Sequence, residues 1–140
     1  MPSFSIRSLV ALSTAHEDLQ NLFREVIKYR DCTVLVGFRN QADQNKAKAV
    51  GNSNDSWPNS PHNRQPSLAV DVAPFINGAV NWKDGNCIAF GGFVMGIAQM
   101  MNLGSRIRWG ADWDGDRDTT DQRLFDPTHF EIILRPGERA

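Results

Sequence analysis

The stretch "LAVDVAPFINGAVNW", residues 68–82, carries the strongest fold signal in the chain. Its first half alternates apolar and other residues in the way that is typical of a β-strand. Asn77-Gly78 follows, and this dipeptide is the strongest short signal for a tight turn between two antiparallel strands. The stretch therefore predicts a strand that leads into a β-hairpin.

Upstream of this hairpin, the spacing of apolar residues predicts three further elements. Residues 13–29 carry apolar side chains at helical spacing, and Thr14 with Glu17 forms a capping-box pattern. The β-branched run "CTVLVGF", residues 32–38, predicts a buried strand. A second helix is expected over residues 41–50.

Downstream, the apolar face of residues 86–103 predicts a third helix, with Gly104 as its stop. The runs "RIRWG" and "HFEIIL", residues 106–110 and 129–134, predict the remaining strands. Residues 51–67 are rich in Gly, Asn, Ser and Pro, so we expect a loop there and regard it as a candidate mobile segment.

Length and composition fit one globular domain. A chain of 140 residues, 41% apolar and 22% charged, is long enough to bury a real core. No internal repeat or second domain is visible. We therefore expect a single α+β domain over residues 1–140, with a mainly antiparallel sheet flanked by helices.

The composition argues against several classes of protein. A net charge of −1 gives no basis for sequence-independent binding of nucleic acid. The N-terminal sequence lacks a long apolar run, so we expect neither a secretory signal nor a membrane span. Cys32 and Cys87 are too few and too scattered for a disulfide framework, and we expect two buried thiols. The sequence shows no long apolar strand edge that would need to be covered by a partner, so we expect a monomer.

Two histidines and one aspartate form a candidate metal site. Asp71 lies within an apolar strand, and a buried carboxylate must be paired, protonated or bound to a metal. His62 precedes it in the loop, and His129 opens the last strand. Catalytic zinc sites use three such ligands and leave a fourth position open. Spacing alone also allows three unrelated polar residues.

Three segments together resemble the VanY-type zinc peptidases, which include D-alanyl-D-alanine carboxypeptidases and the L-alanyl-D-glutamate endopeptidases of phage endolysins. The segments are "SPHNRQPSLAVDVAP", "RWGADWDGD" and "DPTHFE". The family pattern is Ser-x-His, then Ala-x-Asp, then an acidic residue three before a second His. The matching positions are Ser60, His62, Ala69, Asp71, Asp126 and His129.

An earlier segment, "GFRNQADQ", is similar to the family's Gly-x-Arg-(Ser/Thr)-x-x-x-Gln pattern through Gly37, Arg39 and Gln44. Two positions depart from the family. The gap between His62 and Asp71 is longer than usual, and we expect a longer loop with both ligands kept. Asn replaces the usual Ser or Thr after the arginine. The resemblance implies a fold of the hedgehog/D-Ala-D-Ala-peptidase type.

The resemblance implies that His62, Asp71 and His129 bind zinc and that Asp126 is the general base. Zinc lowers the pKa of its bound water from about 16 towards about 7, so hydroxide becomes available at neutral pH. A neighbouring carboxylate can take the proton and pass it to the leaving amine. The alternative for Asp126 is a turn residue before Pro127.

Other polar residues have two interpretations each. Arg39 either clamps a substrate carboxylate or carbonyl or forms a surface salt bridge. Ser60 either bonds substrate or caps the loop, and Gln44 is grouped with the substrate-binding residues. Glu131 shares its side of the strand with His129, so it either orients that ligand or lies in solvent.

The acidic run "DWDGDRDTTD" is a candidate calcium loop, and related phage enzymes suggest one here. Its oxygens stand at alternate positions, in Asp112, Asp114, Asp116 and Asp118, but Arg117 replaces the central glycine of an EF-hand. The alternative is a solvated acidic loop beside the cleft. Trp109 and Trp113 are expected to wall the cleft or to pack in the core, and His16 to lie at the surface.

The resemblance implies a peptidoglycan peptidase that acts on the peptide stem, with the L-Ala-D-Glu bond as the expected target. The alternatives are cleavage of terminal D-Ala-D-Ala and a zinc-containing wall-binding module without catalysis. We expect a phage endolysin that stays in the host cytoplasm until lysis and then reaches the periplasmic wall.

Overall fold

The computed structural model describes residues 2–138 as four α-helices around a small antiparallel sheet. The helices are α1 (Ile6–Ser13), α2 (Glu17–Val26), α3 (Gln41–Ala49) and α4 (Asp84–Met100), with a 3-10 turn at Pro61–Asn63. The strands are β1 (Cys32–Val36), β2 (Ala69–Ile76), β3 (Ala79–Val80), β4 (Ile107–Trp109) and β5 (His129–Ile132). The expected α+β class is confirmed.

The sheet has the order β1-β2-β5-β4, and β3 pairs with the end of β2. Every pairing is antiparallel. Asn77 and Gly78 connect β2 to β3 with φ values of 53° and 81°, the left-handed conformation that a two-residue hairpin turn requires. The predicted hairpin is therefore confirmed.

The register of the sheet brings two of the candidate metal ligands side by side. Asp71 on β2 is directly opposite His129 on β5. On its other side Asp71 pairs with Val36, where the register of β1 shifts and forms a bulge. Bulges often lie beside functional sites because they redirect side chains.

One face of the sheet packs on the core, and the other face carries the polar residues. Val70, Val72 and Phe130 are fully buried, and the ring of Phe130 meets Phe23 of α2 edge-on at 5.3 Å. Because side chains alternate along a strand, Asp71 points to the opposite face. The core thus fixes the strands that present the site.

The first predicted helix differs from the observed one at its start. The chain forms two helices there, α1 and α2, and α2 begins at Glu17. His16 is the cap, since its Nδ1 accepts a hydrogen bond from the Asp18 amide at 3.0 Å. Thr14 is not the cap. Its hydroxyl accepts a hydrogen bond from the Phe38 amide at 2.8 Å and joins α1 to the residues after β1.

The expected stop of α4 is also different. The helix ends at Met100, and Asn102, with φ 60°, takes the left-handed position that was expected for Gly104. The Leu103 amide donates to the Ala98 carbonyl at 2.7 Å, which closes the helix end in a Schellman arrangement.

The remaining sequence expectations on the fold can be checked directly. Strand β1 and helix α3 lie within one or two residues of the predicted bounds.

Cys32 and Cys87 are buried free thiols, and burial raises the pKa of Cys32 to about 12. Within residues 2–138, none of the helices has the length and hydropathy needed to span a bilayer.

Candidate metal centre and active cleft

The three candidate metal ligands converge on one point. The Oδ1 atom of Asp71 lies 3.2 Å from Nε2 of His62 and 3.3 Å from Nδ1 of His129. One potential ligand atom from each residue lies within 4.8 Å of the other two. Strands β2 and β5 supply two of these residues, and the 3-10 turn supplies the third.

In each imidazole, the nitrogen that does not face Asp71, here called the outer nitrogen, is hydrogen-bonded to an acceptor. Nδ1 of His62 donates to the Gly37 carbonyl at 2.8 Å, and Nε2 of His129 donates to Oε1 of Glu131 at 2.8 Å. Both partners are acceptors, so each outer nitrogen carries the proton in a neutral ring. The inner nitrogens then present lone pairs towards Asp71.

This arrangement fits a divalent cation. Two lone pairs and a carboxylate oxygen facing one another repel unless a positive charge lies among them. Zinc takes nitrogen from His and oxygen from Asp, and outer hydrogen bonds like those to Gly37 and Glu131 commonly orient such ligands. The residues present therefore fit a zinc ion.

The close packing of these three residues shifts the pKa values of Asp71 and His129. Without a metal, burial favours the neutral form of Asp71, but the electrostatic interaction with His62 and hydrogen bonds with both histidines outweigh it and hold the pKa of Asp71 below its usual range. Burial also opposes charging of His129. Hydrogen bonds to Asp71 and Glu131 overcome that effect and raise the pKa of His129 to about 10. A positive charge is favoured at this point.

The 3-10 turn positions His62. The Ser60 hydroxyl accepts from the His62 amide at 3.2 Å, and Oδ1 of Asn63 accepts from the Ser60 amide at 3.0 Å. Ser60 therefore caps the turn, as one of its two interpretations expected. The long gap between His62 and Asp71 forms a loop and keeps both ligands together, as expected.

Arg39 lies at the edge of the metal cluster. Its Nη2 atom is 3.7 Å from Oδ2 of Asp71, and its Nη1 atom donates to Oε1 of Gln44 at 3.1 Å. Its backbone amide also donates to the His62 carbonyl at 2.8 Å. The guanidinium is thus held beside the metal ligands and still borders the cleft.

Gln44 is fully buried, with 0% of its surface exposed. Its Oε1 atom also accepts from Asn63 at 3.1 Å, and its Nε2 donates to the Ser53 hydroxyl and the Asp55 carbonyl at 2.9 and 2.8 Å. The expectation that Gln44 binds substrate directly does not fit this burial. The side chain ties Arg39 to the loop wall instead.

Asp126 borders the same cleft as the metal ligands. Its backbone amide donates to the Gly110 carbonyl at 2.8 Å, and Trp109 Nε1 donates to the Pro127 carbonyl at 2.8 Å. A Cβ on Gly110 would lie 2.1 Å from the Asp126 carbonyl oxygen, so glycine is needed for this close approach. Burial, and next the charge of Asp71, raise the pKa of the Asp126 carboxyl.

The cleft has a volume of about 360 Å³. It is lined by the metal ligands, Asp126, residues 51–55 and Trp113, among others. The ring of Trp113 lies 5.4 Å from that of His129. Of the two tryptophans considered from the sequence, Trp113 borders the cleft, while Trp109 is buried in the core.

The acidic loop forms a second cluster of possible ligands. Oxygens of Asp112, Asp114 and Asp116 lie within 4.8 Å of one another. Asp118 falls outside this group and bonds to the Thr120 amide at 2.8 Å. Oδ1 of Asp112 is buried and has no hydrogen-bond partner among residues 2–138.

Only a weak signal in the sequence, or none, indicates the roles of three residues that contribute to the site. Glu131 was left between two interpretations, and the structure shows the one in which it orients His129. The carbonyl of Gly37 and the backbone of Gly110 had no signal of this kind, because backbone roles do not depend on residue type. His16 lies outside the site, as expected.

Comparison with known proteins gives three results. A family model described as phage L-alanyl-D-glutamate peptidase matches residues 2–133. The L-alanyl-D-glutamate peptidase of Escherichia phage T5 is 30% identical over 136 residues, covering 93% of this chain and 97% of that protein. The crystal structure of the Serratia marcescens L-Ala D-Glu endopeptidase ChiX is similar in fold, with a TM-score of 0.72 at 24% identity, covering 94% of this chain and 91% of ChiX.

Proposed function

Because this chain belongs to the phage L-alanyl-D-glutamate peptidase family, we propose that it hydrolyses the L-Ala-D-Glu bond of peptidoglycan with the help of a zinc ion. The ligands would be His62, Asp71 and His129. One observation carries this proposal: two imidazole lone pairs and a carboxylate face one another within 4.8 Å, each ring held from behind by an acceptor. With both rings neutral, this arrangement needs a positive charge among the three groups, and a zinc ion would supply it.

A zinc ion bound there would supply a Lewis acid and lower the pKa of a water molecule. Residues of the chain itself would transfer the proton of the water to the leaving amine. Asp126, with its raised pKa, takes a proton from the attacking water and passes it to the amine of D-glutamate as the C–N bond breaks. With the second proton of the water also taken up by the leaving amine, the products are a carboxylate on L-alanine and an ammonium group on D-glutamate.

Arg39 supplies positive charge at the edge of the cleft. Gln44 holds its Nη1 atom from behind, so the guanidinium is oriented before substrate arrives. A planar fork of N–H donors suits a carboxylate, and D-glutamate presents one next to the scissile bond. The same group can stabilise negative charge that develops on the carbonyl oxygen during attack.

We also propose a calcium ion in the acidic loop, bound by Asp112, Asp114 and Asp116. The buried, unpartnered Oδ1 of Asp112 supports it, since a buried carboxylate oxygen without a partner is costly and a cation would satisfy it. Asp118 is not required. The loop borders Trp113, so a bound ion would stabilise one wall of the cleft.

Two further expectations stay proposals. We propose that the enzyme acts as a monomer, and that it remains in the host cytoplasm until the inner membrane is opened. Sedimentation of the purified protein tests the first, and fractionation of infected cells before and after lysis tests the second.

Digestion of purified peptidoglycan tests the main proposal. New N-terminal D-glutamate, identified by mass spectrometry, is the expected product, whereas free D-alanine would indicate carboxypeptidase activity. The protein is stripped of metal with a chelator and then given zinc, which should restore cleavage. Unchanged activity of exhaustively chelated protein would overturn the role of zinc while leaving the peptidase assignment intact.

A further inference from the structure

A second, larger groove adjoins the catalytic cleft. It has a volume of about 1000 Å³ and lies between one face of α4, strand β4 and the acidic loop. Trp113 borders both cavities, and its ring lies 5.4 Å from the ring of His129. A molecule bound at the metal cluster can therefore extend past Trp113 into the groove.

The sugar of the substrate lies a short distance from the scissile bond, comparable to the distance from the metal ligands to the groove. In peptidoglycan, L-alanine is joined through a lactyl group to the muramoyl sugar, so one residue and one short linker separate the scissile bond from the glycan. Two such units span about 7 Å when extended. With the scissile carbonyl at the metal ligands, the sugar would lie beyond Trp113 when the N-terminal end of the stem points towards the groove.

The groove carries charged side chains of both signs. The groove is lined by two arginines, Arg108 and Arg117, and two aspartates, Asp112 and Asp114, so their charges balance. Without an ion in the acidic loop, such a surface gives no net attraction to the anionic part of the stem. A calcium ion there would add positive charge, so the choice of a sugar rests on the shape and chemistry of the groove. The N-acetylated sugars are neutral once the lactyl group is amidated, and they suit such a surface.

The chemistry of the groove also fits a sugar. The indole of Trp113 and the partly exposed side chain of Met95 offer apolar surfaces for the C–H faces of the rings. Gln99 and Ser105 offer hydrogen-bonding groups for hydroxyl and acetamido groups. The volume lies at the upper end of the range for small-molecule sites, which is enough for a disaccharide.

We infer that this groove binds the glycan of peptidoglycan and that Arg39 lies at the D-glutamate end of the same substrate. The inference rests on the proposed function, because it takes the L-Ala-D-Glu bond as the one at the metal cluster. It predicts that the enzyme distinguishes a stem that carries its sugar from a free peptide.

Gly96 allows the groove to be blocked without disturbing the fold. It is exposed on α4, and a Cβ there would meet no described atom within 4 Å. Glycine is a poor helix former, so Gly96→Phe should preserve the helix while filling the groove. Gly85→Phe is the matched control, since Gly85 is equally open on α4 but does not line the groove.

The experiment compares kcat/KM on disaccharide-tetrapeptide and on free tetrapeptide. We expect the wild-type enzyme to prefer the disaccharide substrate by about tenfold or more, and Gly96→Phe to lose that preference while keeping its rate on the free peptide. Gly85→Phe should behave as wild type. Equal preference in the wild-type enzyme, or equal effects of Gly96→Phe on both substrates, would overturn the inference while the proposed function stands.

A binding measurement separates the inference from catalysis. N-acetylglucosaminyl-N-acetylmuramic acid, which has no peptide bond to cleave, is titrated into ¹⁵N-labelled zinc-loaded protein. The amide resonances of Gly92 and Gly96 should shift, while that of Gly85 should not. No shift at saturating disaccharide would contradict the glycan groove. Failure to cleave either peptide substrate would contradict the proposed function instead.

Discussion

Glu131 lies 2.8 Å from Nε2 of His129, on the side of the ring that faces away from Asp71. When His129 gives up one proton to bind a metal, this contact keeps the remaining proton on Nε2 and leaves Nδ1 free as the ligand. Glu131 also lies 3.6 Å from Nη1 of Arg108, which lines the neighbouring groove. His129, the candidate ligand on strand β5, is thus oriented from behind by a residue two positions later.

Removing this support should weaken metal binding. We expect Glu131→Ala to lower zinc affinity by about 10–100-fold, and Glu131→Gln, which keeps an acceptor, to lower it less. Competition with a chromophoric chelator measures the affinity. Glu25→Ala, which removes an exposed partner of Lys28, is the control and should leave affinity unchanged. Wild-type affinity in Glu131→Ala would show that Glu131 does not orient the ligand.

Asp126 should be needed for turnover but not for metal binding. Since its proposed role is proton transfer, Asp126→Asn should lower kcat by about 10²–10⁴-fold. Zinc content, measured on the same samples by atomic absorption, should remain at the wild-type level. A variant that retains most of its activity would remove Asp126 as the general base, and a variant that loses zinc would place it among the ligands.

The raised pKa of Asp126 predicts a stability effect in metal-free protein. A carboxyl whose pKa is higher in the folded state than in the unfolded state costs stability as the pH rises from its ordinary pKa through the raised value. Asp126→Asn removes that cost. The chelated variant should therefore melt at a higher temperature than chelated wild type at pH 7.

The gain should vanish below the ordinary pKa of an aspartate, where the carboxyl is protonated in both states. Calorimetry of both proteins at pH 7 and about pH 3 checks this. An equal difference at both pH values would mean that burial of the charge is not its cause.

Local chemistry explains why parts of the fold were predictable. The hairpin at Asn77-Gly78 depends only on two residues that tolerate positive φ, so the sequence is enough. The alternation of apolar residues located β2 and β5, and the same alternation put Glu131 beside His129. The metal ligands, in contrast, were left open by spacing and were supported by the resemblance to a family.

Helix α1 shows why the rest was not predictable. Its apolar residues Ile6, Leu9 and Val10 are exposed, while Ser8 is buried and bonds the Val34 amide at 3.0 Å. The apolar pattern therefore does not mark the buried face. The prediction that Gln44 binds substrate does not fit the structure for a related reason, because the partners that bury its side chain come from distant segments.

Calcium should stabilise the acidic loop. If Asp112, Asp114 and Asp116 bind the ion, calcium should raise the melting temperature of the zinc-loaded protein, and Asp112→Asn should remove most of that shift. Asp118→Asn is the control, because Asp118 lies outside the three-carboxylate group. If calcium changes neither the melting temperature nor the activity of the wild-type protein, the loop is only a solvated acidic segment.

Gln44 should support catalysis without touching the substrate. It links Arg39, Asn63 and the loop that carries Ser53, all from a fully buried position. Gln44→Ala leaves buried partners without hydrogen bonds and should cost about 1–3 kcal/mol of stability. Because the guanidinium of Arg39 loses its support, kcat should also fall.

A control on the same helix separates the two effects. The Asn40 side chain caps α3 by accepting from the Asp43 amide at 2.9 Å, and Asn40→Ala should cost about 1 kcal/mol. Asn40→Ala should therefore lose stability and keep its kcat at a temperature where both variants are folded. Gln44→Glu keeps one acceptor for Arg39 and should recover part of the lost kcat. If Gln44→Ala is destabilised but turns over as fast as Asn40→Ala, Gln44 serves only the fold, and Arg39 is oriented by Asp71 alone.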